Sequence, residues 1–483
     1  MNRTDEEQDI NNQEQQLIRL DNLFAGQQRA FRQQRAPELK HRLAALSRLQ
    51  ELIKCNSEEL ASAVNEDFSN RSTFETRLLE LFTCSDGIRH NLRHLPVWIR
   101  PQRRKTSLWF QPAKNRILQQ PLGVIGIVVP FNYPLYLAIA PLTAALAAGN
   151  RALIKMSEFT PRTAELLTRL LGETFSEEEV AVISGPAAVA EAFSSLPFDH
   201  LFFTGSIPVG KKVMAAASRN LTPVTLELGG KSPAIIGPDA DWSLAIKRIM
   251  IGKLWNAGQT CVAPDYLLLP AGEEQRFIEA AQKATQRFYP TISGNPDYSA
   301  IITPRHYQRL QALLEDSEDQ GAQLIPLHSE QPQAAQQSRQ LPPMLLQGTT
   351  AEMRISQEEI FGPLLPLIPY RTLDEALNYI NDRPRPLALY YFGQDRELTS
   401  RVLENTHSGG AAVNSTLLHV AQEDMPFGGI GPSGMGHYHG REGFETFSKM
   451  KSVMYDSKFS AVPLLYPPYG KRAKLLLKWM MRG

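Results

Sequence analysis

Gly123-Val124-Ile125-Gly126-Ile127-Val128-Val129 is an unbroken apolar run that stops at Pro130. A strand that is apolar at every position, not at alternate ones, is buried on both faces, and such strands belong to parallel sheets covered by helices. The chain that follows keeps the matching rhythm. A helical stretch from Leu135 to Ala148 halts at Gly149-Asn150, and Ala152-Leu153-Ile154-Lys155 is a second short strand. Thr160-Pro161 then opens a helix with a capping residue and a proline at its first position. Val180-Ala181-Val182-Ile183 ends at Ser184-Gly185, and His200-Leu201-Phe202-Phe203 ends at Thr204-Gly205. Strands alternating with helices imply right-handed crossovers and an α/β fold, with ligands at the carboxyl ends of the strands.

At 483 residues the chain is too long for one core, so two or three domains are expected. Residues from about Leu20 to His94 read as helices, with Leu43, Leu46, Leu49, Leu52 and Ile53 at helical spacing. Cys55 and Cys84 lie in or beside these stretches and are expected in or near the core. After Gly230 the alternation restarts with a strand, Ser232 to Ile236, and a helix, Trp242 to Leu254, and it runs to about Val413 as a separate domain. Ser329 to Gln340 is polar and Gln-rich and reads as a surface loop. The segment from Pro426 to Gly436 is so rich in glycine that it needs unusual backbone angles, or close approach to a ligand or another chain.

Hydrophobic content of 42% and charged content of 21% describe an ordinary globular protein. A net charge of +1 gives no electrostatic argument for nucleic acid or an anionic surface. Three cysteines cannot build a disulfide framework, so a reducing, cytoplasmic setting with a reactive free thiol is expected. Met1 to Gln16 is acidic and amide-rich without an apolar signal region, and is expected to fray. No apolar run reaches the ~20 residues that span a bilayer. The basic, amphipathic tail Lys471 to Arg482 allows at most a peripheral membrane contact and is expected to cap the protein's own surface or a neighbouring subunit.

The chemistry concentrates at Gly258-Gln259-Thr260-Cys261, downstream of Glu227-Leu228-Gly229-Gly230-Lys231. A thiol nucleophile and a carboxylate base are the parts needed to make and then hydrolyse a thioester. A lone cysteine is usually a small buried hydrophobe, but the polar, glycine-bearing company of Cys261 favours the nucleophile. No G-x-G-x-x-G follows any strand. Gly205-Ser206-Ile207-Pro208-Val209-Gly210-Lys211-Lys212 is close to a P-loop, yet Lys212 stands where magnesium needs Ser or Thr, and Pro208 removes an amide donor. Nucleotide hydrolysis is therefore the runner-up chemistry, while a helix starting after Gly205 can still hold a pyrophosphate. Glu158, just past the strand that ends at Lys155, can accept from ribose hydroxyls and repels a 2′-phosphate; its other reading is a solvated loop charge.

Five segments, taken together, resemble the aldehyde dehydrogenase superfamily in order and spacing: Pro130-Phe131-Asn132-Tyr133-Pro134, Phe203-Thr204-Gly205-Ser206, Leu226 to Lys231, Gly258 to Cys261, and Glu359-Ile360-Phe361-Gly362-Pro363. The likeness covers about residues 20 to 457. Cys261-Val262-Ala263-Pro264-Asp265-Tyr266, Ser433-Gly434-Met435-Gly436 and Tyr466-Pro467-Pro468-Tyr469 are similar to its class 3 branch, and Ile154 to Arg162 is similar to bacterial coniferyl aldehyde dehydrogenases.

The resemblance implies the fold: a Rossmann-like cofactor domain (20–104, 121–227 and 414–439), a catalytic domain (228–413), and a small bridging sheet (105–120 and 440–457). A disordered stretch, 1–19, would precede them and a basic tail, 458–483, would follow. It implies roles as well. Cys261 matches the nucleophile, Glu227 the general base, and Asn132 the side-chain donor of the oxyanion hole. Lys155 and Glu158 match adenosine-ribose contacts, Gly205 and Ser206 the pyrophosphate turn, Glu359 the nicotinamide-ribose anchor, and Phe361 packs beside it. No metal ligand is implied. The cofactor is NAD, with NADP as the alternative, because Met156 stands where many relatives carry proline. The implied reaction oxidises an aldehyde to its acid through a Cys261 thiohemiacetal and thioester. Coniferyl aldehyde is the leading substrate and a medium- or long-chain aliphatic aldehyde the alternative. A homodimer is implied. Trp255 is a bulky neighbour of Cys261 expected to shape the pocket. A catalytically retired relative would have lost Cys261 or Glu227, and both are present.

Overall fold

The computed structural model describes residues 3–330 and 337–481. In chain order, Gln102–Arg104 (β1) and Lys114–Pro121 (β2) precede Val124–Val128 (β3), Arg151–Lys155 (β4), Val180–Ile183 (β5), His200–Gly205 (β6) and Val224–Leu228 (β7). Then come Pro233–Ile236 (β8), Tyr266–Pro270 (β9), Gln323–Pro326 (β10), Met344–Gln347 (β11), Leu364–Tyr370 (β12), Ala388–Phe392 (β13) and Gly410–Val413 (β14). Gly434–Met435 (β15) and Ser448–Tyr455 (β16) complete the set. They form three sheets, ordered β15-β7-β6-β3-β4-β5, β10-β11-β12-β9-β8-β13-β14 and β1-β2-β16.

The α/β expectation is borne out. All pairings within β3 to β7 are parallel, and β3, β5 and the first five residues of β6 are buried throughout, as two-sided cover by helices requires. The chain steps outward from β3 through β4 to β5, then returns to place β6 and β7 on the other side of β3. That reversal opens a crevice at the carboxyl ends. The 129–135 segment, Lys155, Gly205 and Glu227 all lie at those ends.

The second sheet contributes its opposite edge. Gly229-Gly230-Lys231-Ser232 leads straight from the end of β7 into the start of β8. Cys261 precedes β9 and Glu359 precedes β12, and β8, β9 and β12 are adjacent parallel strands. The expectation that ligand-facing residues sit at carboxyl ends therefore describes the first sheet alone. A strand-to-strand passage with no intervening helix turns the amino ends of the second sheet toward the carboxyl ends of the first.

Several local expectations are corrected. The segment expected to be disordered is, from Arg3, the start of a helix running to Gln33. Farther along that helix Leu20, Leu23 and Phe24 are buried against the first sheet, and Gln27 Nε2 donates to Ala152 O at 2.8 Å and Glu177 O at 3.0 Å. Cys55 is exposed and donates to Glu51 Oε1 at 3.1 Å, whereas Cys84 is buried as expected. Thr160 does not cap the helix Pro161–Thr174; Asp67, remote in sequence, accepts from Arg162 N and Thr163 N, both at 2.9 Å. In the bridging sheet the strands are shorter than expected, since 105–113 contains a turn of 3₁₀ helix and Gly440–Thr446 is helical. Residues 331–336 of the expected Gln-rich loop lie outside the described residues. The tail helix Lys471–Met480 touches the protein's own surface, with Trp479 edge-on to Trp109 at 4.6 Å, while Leu475 and Leu477 stay exposed.

Candidate active site

The helix Trp242–Leu254 hands over to a turn in which Asn256 (φ 52°), Ala257 (φ 49°) and Gly258 (φ 74°) are all left-handed. For the two non-glycine residues that conformation is unfavourable by roughly 1–3 kcal/mol each, so the surroundings must impose it. They do. Glu75 Oε2 accepts from Asn256 N at 2.8 Å, and Gln259 Nε2 donates to Asn256 O and Ala300 O, both at 3.0 Å. Gln259 Oε1 accepts from Ile302 N at 3.0 Å. The turn delivers Cys261 to a pocket walled by Tyr133, Tyr136, Trp255, Leu417, Phe427 and Tyr438, so Trp255 takes the place expected of it.

The same network ties Asn132 to the cysteine loop. Asn256 Nδ2 donates to Asn132 O at 3.0 Å, and Tyr133 Oη meets Thr260 Oγ1 at 2.7 Å. Arg71 donates to Asn132 O at 2.6 Å from a fully buried pair with Glu80 at 3.1 Å. Glu80 Oε2 in turn accepts from Leu135 N at 2.8 Å and Tyr136 N at 3.1 Å. Asn132 is thus buried and clamped by its backbone, while its side-chain amide makes no hydrogen bond among the described residues.

Burial pushes the Cys261 thiol up to about 12, helped by the nearby Glu359 and Glu227 carboxyls, although the Cys261 and Val262 amides pull the other way. Desolvation wins in this pocket, and the resting group is the thiol.

Glu227 sits on β7 between Thr204 of β6 and Gly434 of β15. The glycine-rich segment thereby finds its reason in the chain's own backbone: a Cβ on Gly434 would stand 2.1 Å from Leu226 O. Glu227 is 3% exposed, and neither carboxyl oxygen has a partner among the described residues. Burial raises its carboxyl well above the ordinary range.

Glu359 is held from behind. Lys231 pairs with Asp265 and donates to Ile355 O at 2.7 Å and Glu358 O at 2.9 Å, while Asp265 Oδ2 accepts from Ile360 N at 2.8 Å. Arg309 donates to Glu359 O at 3.3 Å. Burial, then Asp265, raises the Glu359 carboxyl to about 8, and Oε1 is left without a partner. An aromatic cluster joins the three candidate segments. Phe131, beside Asn132, lies 6.0 Å from Phe159, 5.1 Å from His306 and 5.8 Å from Phe361. Phe159 follows Glu158, and Phe361 follows Glu359 by two residues.

Lys155 is buried at the end of β4 and donates to Gly185 O at 2.8 Å, with Glu158 Oε2 at 3.5 Å; burial lowers its ammonium. Gly205 ends β6, and Ser206 precedes the helix Ile207–Ser218, whose first amides have no side-chain cap. A dinucleotide fits these features: free helix amides for phosphates, an exposed carboxylate beside a buried ammonium for a ribose, and an unpartnered buried carboxyl oxygen at Glu359 for another.

Residues 2–453 match the model of the Aldehyde dehydrogenase family. The chain belongs to that family. The probable coniferyl aldehyde dehydrogenase of Pseudomonas aeruginosa is 52% identical over 470 residues, covering 97% of this chain and 98% of that protein. Among solved structures, the substrate-bound state of Staphylococcus aureus AldH superposes with a TM-score of 0.90 at 38% identity, covering 95% of this chain and 99% of that one. The NAD+ complex of Staphylococcus aureus betaine aldehyde dehydrogenase gives 0.83 at 25% identity, over 91% and 88%.

As an aldehyde dehydrogenase the chain oxidises small-molecule aldehydes. Sequence reasoning named the chemistry of this aldehyde dehydrogenase but missed its supports. Glu75, Arg71, Glu80 and His306 carry no motif, and only Gln259, inside a motif, had a signal. Among the described residues no helix is long and apolar enough to cross a membrane.

Proposed function

We infer that this aldehyde dehydrogenase converts a hydroxycinnamyl-type aldehyde, with coniferyl aldehyde as the type case, to its carboxylic acid, with Cys261 as nucleophile and Glu227 as general base. The observation that carries the reading is a cysteine presented by a tightly held left-handed turn to a pocket walled by five aromatic side chains, with the buried, unpartnered Glu227 carboxyl within electrostatic range of its sulfur. Flat aromatic walls suit a conjugated planar substrate. The name of the Pseudomonas aeruginosa relative supports the same class.

The Cys261 thiol first gives up its proton to solvent, the thiolate sulfur adds to the aldehyde carbon, and the alkoxide so formed is stabilised by the Asn132 amide and the Cys261 N–H. Donors of this kind are each worth about 3 kcal/mol in acyl-transfer enzymes. A nicotinamide coenzyme, when bound, supplies the hydride acceptor. Lys155, Glu158, Gly205, Ser206, Glu359 and Phe361 would hold it, and the Glu158 carboxylate would favour NAD over NADP by like-charge repulsion of a 2′-phosphate. Glu227 then takes a proton from the water that hydrolyses the thioester. The exposed Met450, Met454 and Tyr455 of β16 support a homodimer formed through the bridging sheet.

Kinetics on coniferyl aldehyde, benzaldehyde, hexanal and dodecanal, each with NAD+ and NADP+, test the reading. The expected result is the highest kcat/KM for coniferyl aldehyde with NAD+. A higher value for dodecanal would transfer the assignment to aliphatic aldehydes.

A further inference from the structure

Buried polar groups in folded proteins almost always have hydrogen-bond partners, so a cluster without them points to something the site is built to hold. Three such oxygens lie within electrostatic range of one another: both carboxyl oxygens of Glu227 and the hydroxyl of Tyr438. Tyr438 is 1% exposed, lines the pocket that contains Cys261, and lies within electrostatic range of Glu227, Cys261 and Tyr136. It is also tied to the Glu227 strand. Gly434 pairs with Glu227, and four residues later the Tyr438 backbone pairs with Phe427 at 2.9 and 2.8 Å. Its ring is fixed by Phe202 at 4.9 Å and Phe427 at 5.9 Å, so the hydroxyl has little freedom to seek a partner elsewhere. The second phenol in the same wall, Tyr136, is already taken, with its Oη 2.8 Å from His439 Nε2.

We propose that Tyr438 is a further catalytic residue of the hydrolytic half-reaction, its hydroxyl and the Glu227 carboxylate together holding the water that attacks the acyl group on Cys261. This rests on the roles proposed above for Cys261 and Glu227. Water offers two O–H groups. With one directed to Glu227 and the other to Tyr438 Oη, a lone pair remains for the acyl carbon. The water oxygen forms the new C–O bond and the C–S bond breaks. The water's proton passes to Glu227 and then to the departing sulfur, leaving the carboxylic acid and the Cys261 thiol, with no change in oxidation state. Two fixed acceptors orient the nucleophile, and misplacing a reactant by about 1 Å can lower a rate roughly 10²-fold.

The experiment is Tyr438→Phe, which keeps the ring contacts and deletes only the hydroxyl. Enzyme mixed with NAD+ and excess aldehyde is quenched at intervals, and the whole chain is weighed after denaturation. The expected result is NADH formation in the first turnover at the wild-type rate, accumulation of a Cys261-bound acyl mass, and a first-order decay of that mass slowed 10- to 100-fold. Hydroxylamine, which needs no ordered water, restores turnover. Because the decay is a rate constant, it is independent of the fraction of chain that folds. An unchanged decay, or loss of the first-turnover NADH, overturns the role of Tyr438. Failure of the underlying reading looks different: Glu227→Gln with an intact Tyr438 would then show no acyl mass on Cys261.

Discussion

Gly229 lies beneath the carboxylate of Glu359, so close that a Cβ at 229 would stand 2.0 Å from Glu359 Oε2 and 2.5 Å from its Cδ. The residue that leaves the Glu227 strand and the residue proposed to anchor the coenzyme therefore share one space. Gly229→Ala pushes the flexible end of Glu359 aside and leaves the backbone in place. With the Glu359 carboxyl raised to about 8 and so neutral at pH 7, a hydrogen bond to it contributes about 1 kcal/mol net, and the NAD+ dissociation constant should rise roughly fivefold. Displacement of fluorescent NADH by NAD+ reads this, and an unchanged constant would remove Glu359 from the binding site.

The Cys261 thiol, held up at about 12, is protonated in the coenzyme-free protein at neutral pH. The fraction of thiolate, the nucleophilic form, then rises about tenfold for each unit of pH between 7 and 10, because that whole range lies below the thiol's own value. Iodoacetamide inactivation should follow that slope without levelling. A plateau above pH 8.5 would mean an ordinary, solvated thiol.

Glu227 predicts a stability effect of definite sign. Its carboxyl is raised in the fold, so between the unfolded value near 4.3 and its own raised value it is protonated while the unfolded chain ionises, and above that interval it carries the charge that the base role needs. The stability it contributes is complete below that value and is lost as pH rises. Glu227→Gln, which cannot ionise, should melt at a higher temperature than the wild type at pH 8, with the difference vanishing near pH 4. The same variant should slow thioester hydrolysis while sparing acylation. A lower melting temperature at pH 8 would mean that the carboxylate is paired.

Gln259 is 1% exposed and bonds Asn256 O, Ala300 O and Ile302 N. Three such bonds, each contributing about 1 kcal/mol net, put Gln259→Ala at about 3 kcal/mol of lost stability by urea denaturation. Released from its brace, the left-handed turn should relax, and the rate of aldehyde capture should fall by more than the loss of folded protein explains. Equal falls would make Gln259 a fold residue only.

Much of the α/β architecture, and the candidates for the reacting groups, could be read from the chain alone. Strands such as Val180–Ile183 are short, apolar and bounded by glycine, and β5 spans those same residues. Cys261 and Glu227 announced themselves because their chemistry is rare and their flanks are glycine-rich. The tertiary structure decided what no local pattern encodes. Asp67 caps a helix 94 residues away that Thr160 was expected to cap, counting from 67 to its first residue at 161. Glu75, an unremarkable acid in a helical segment, holds Asn256 in a conformation its own sequence disfavours. The charge state of Cys261 depended on burial, which is a sum over distant atoms. Local propensity and reactive chemistry are properties of a few consecutive residues; desolvation and hydrogen-bond closure belong to whatever the fold brings alongside them.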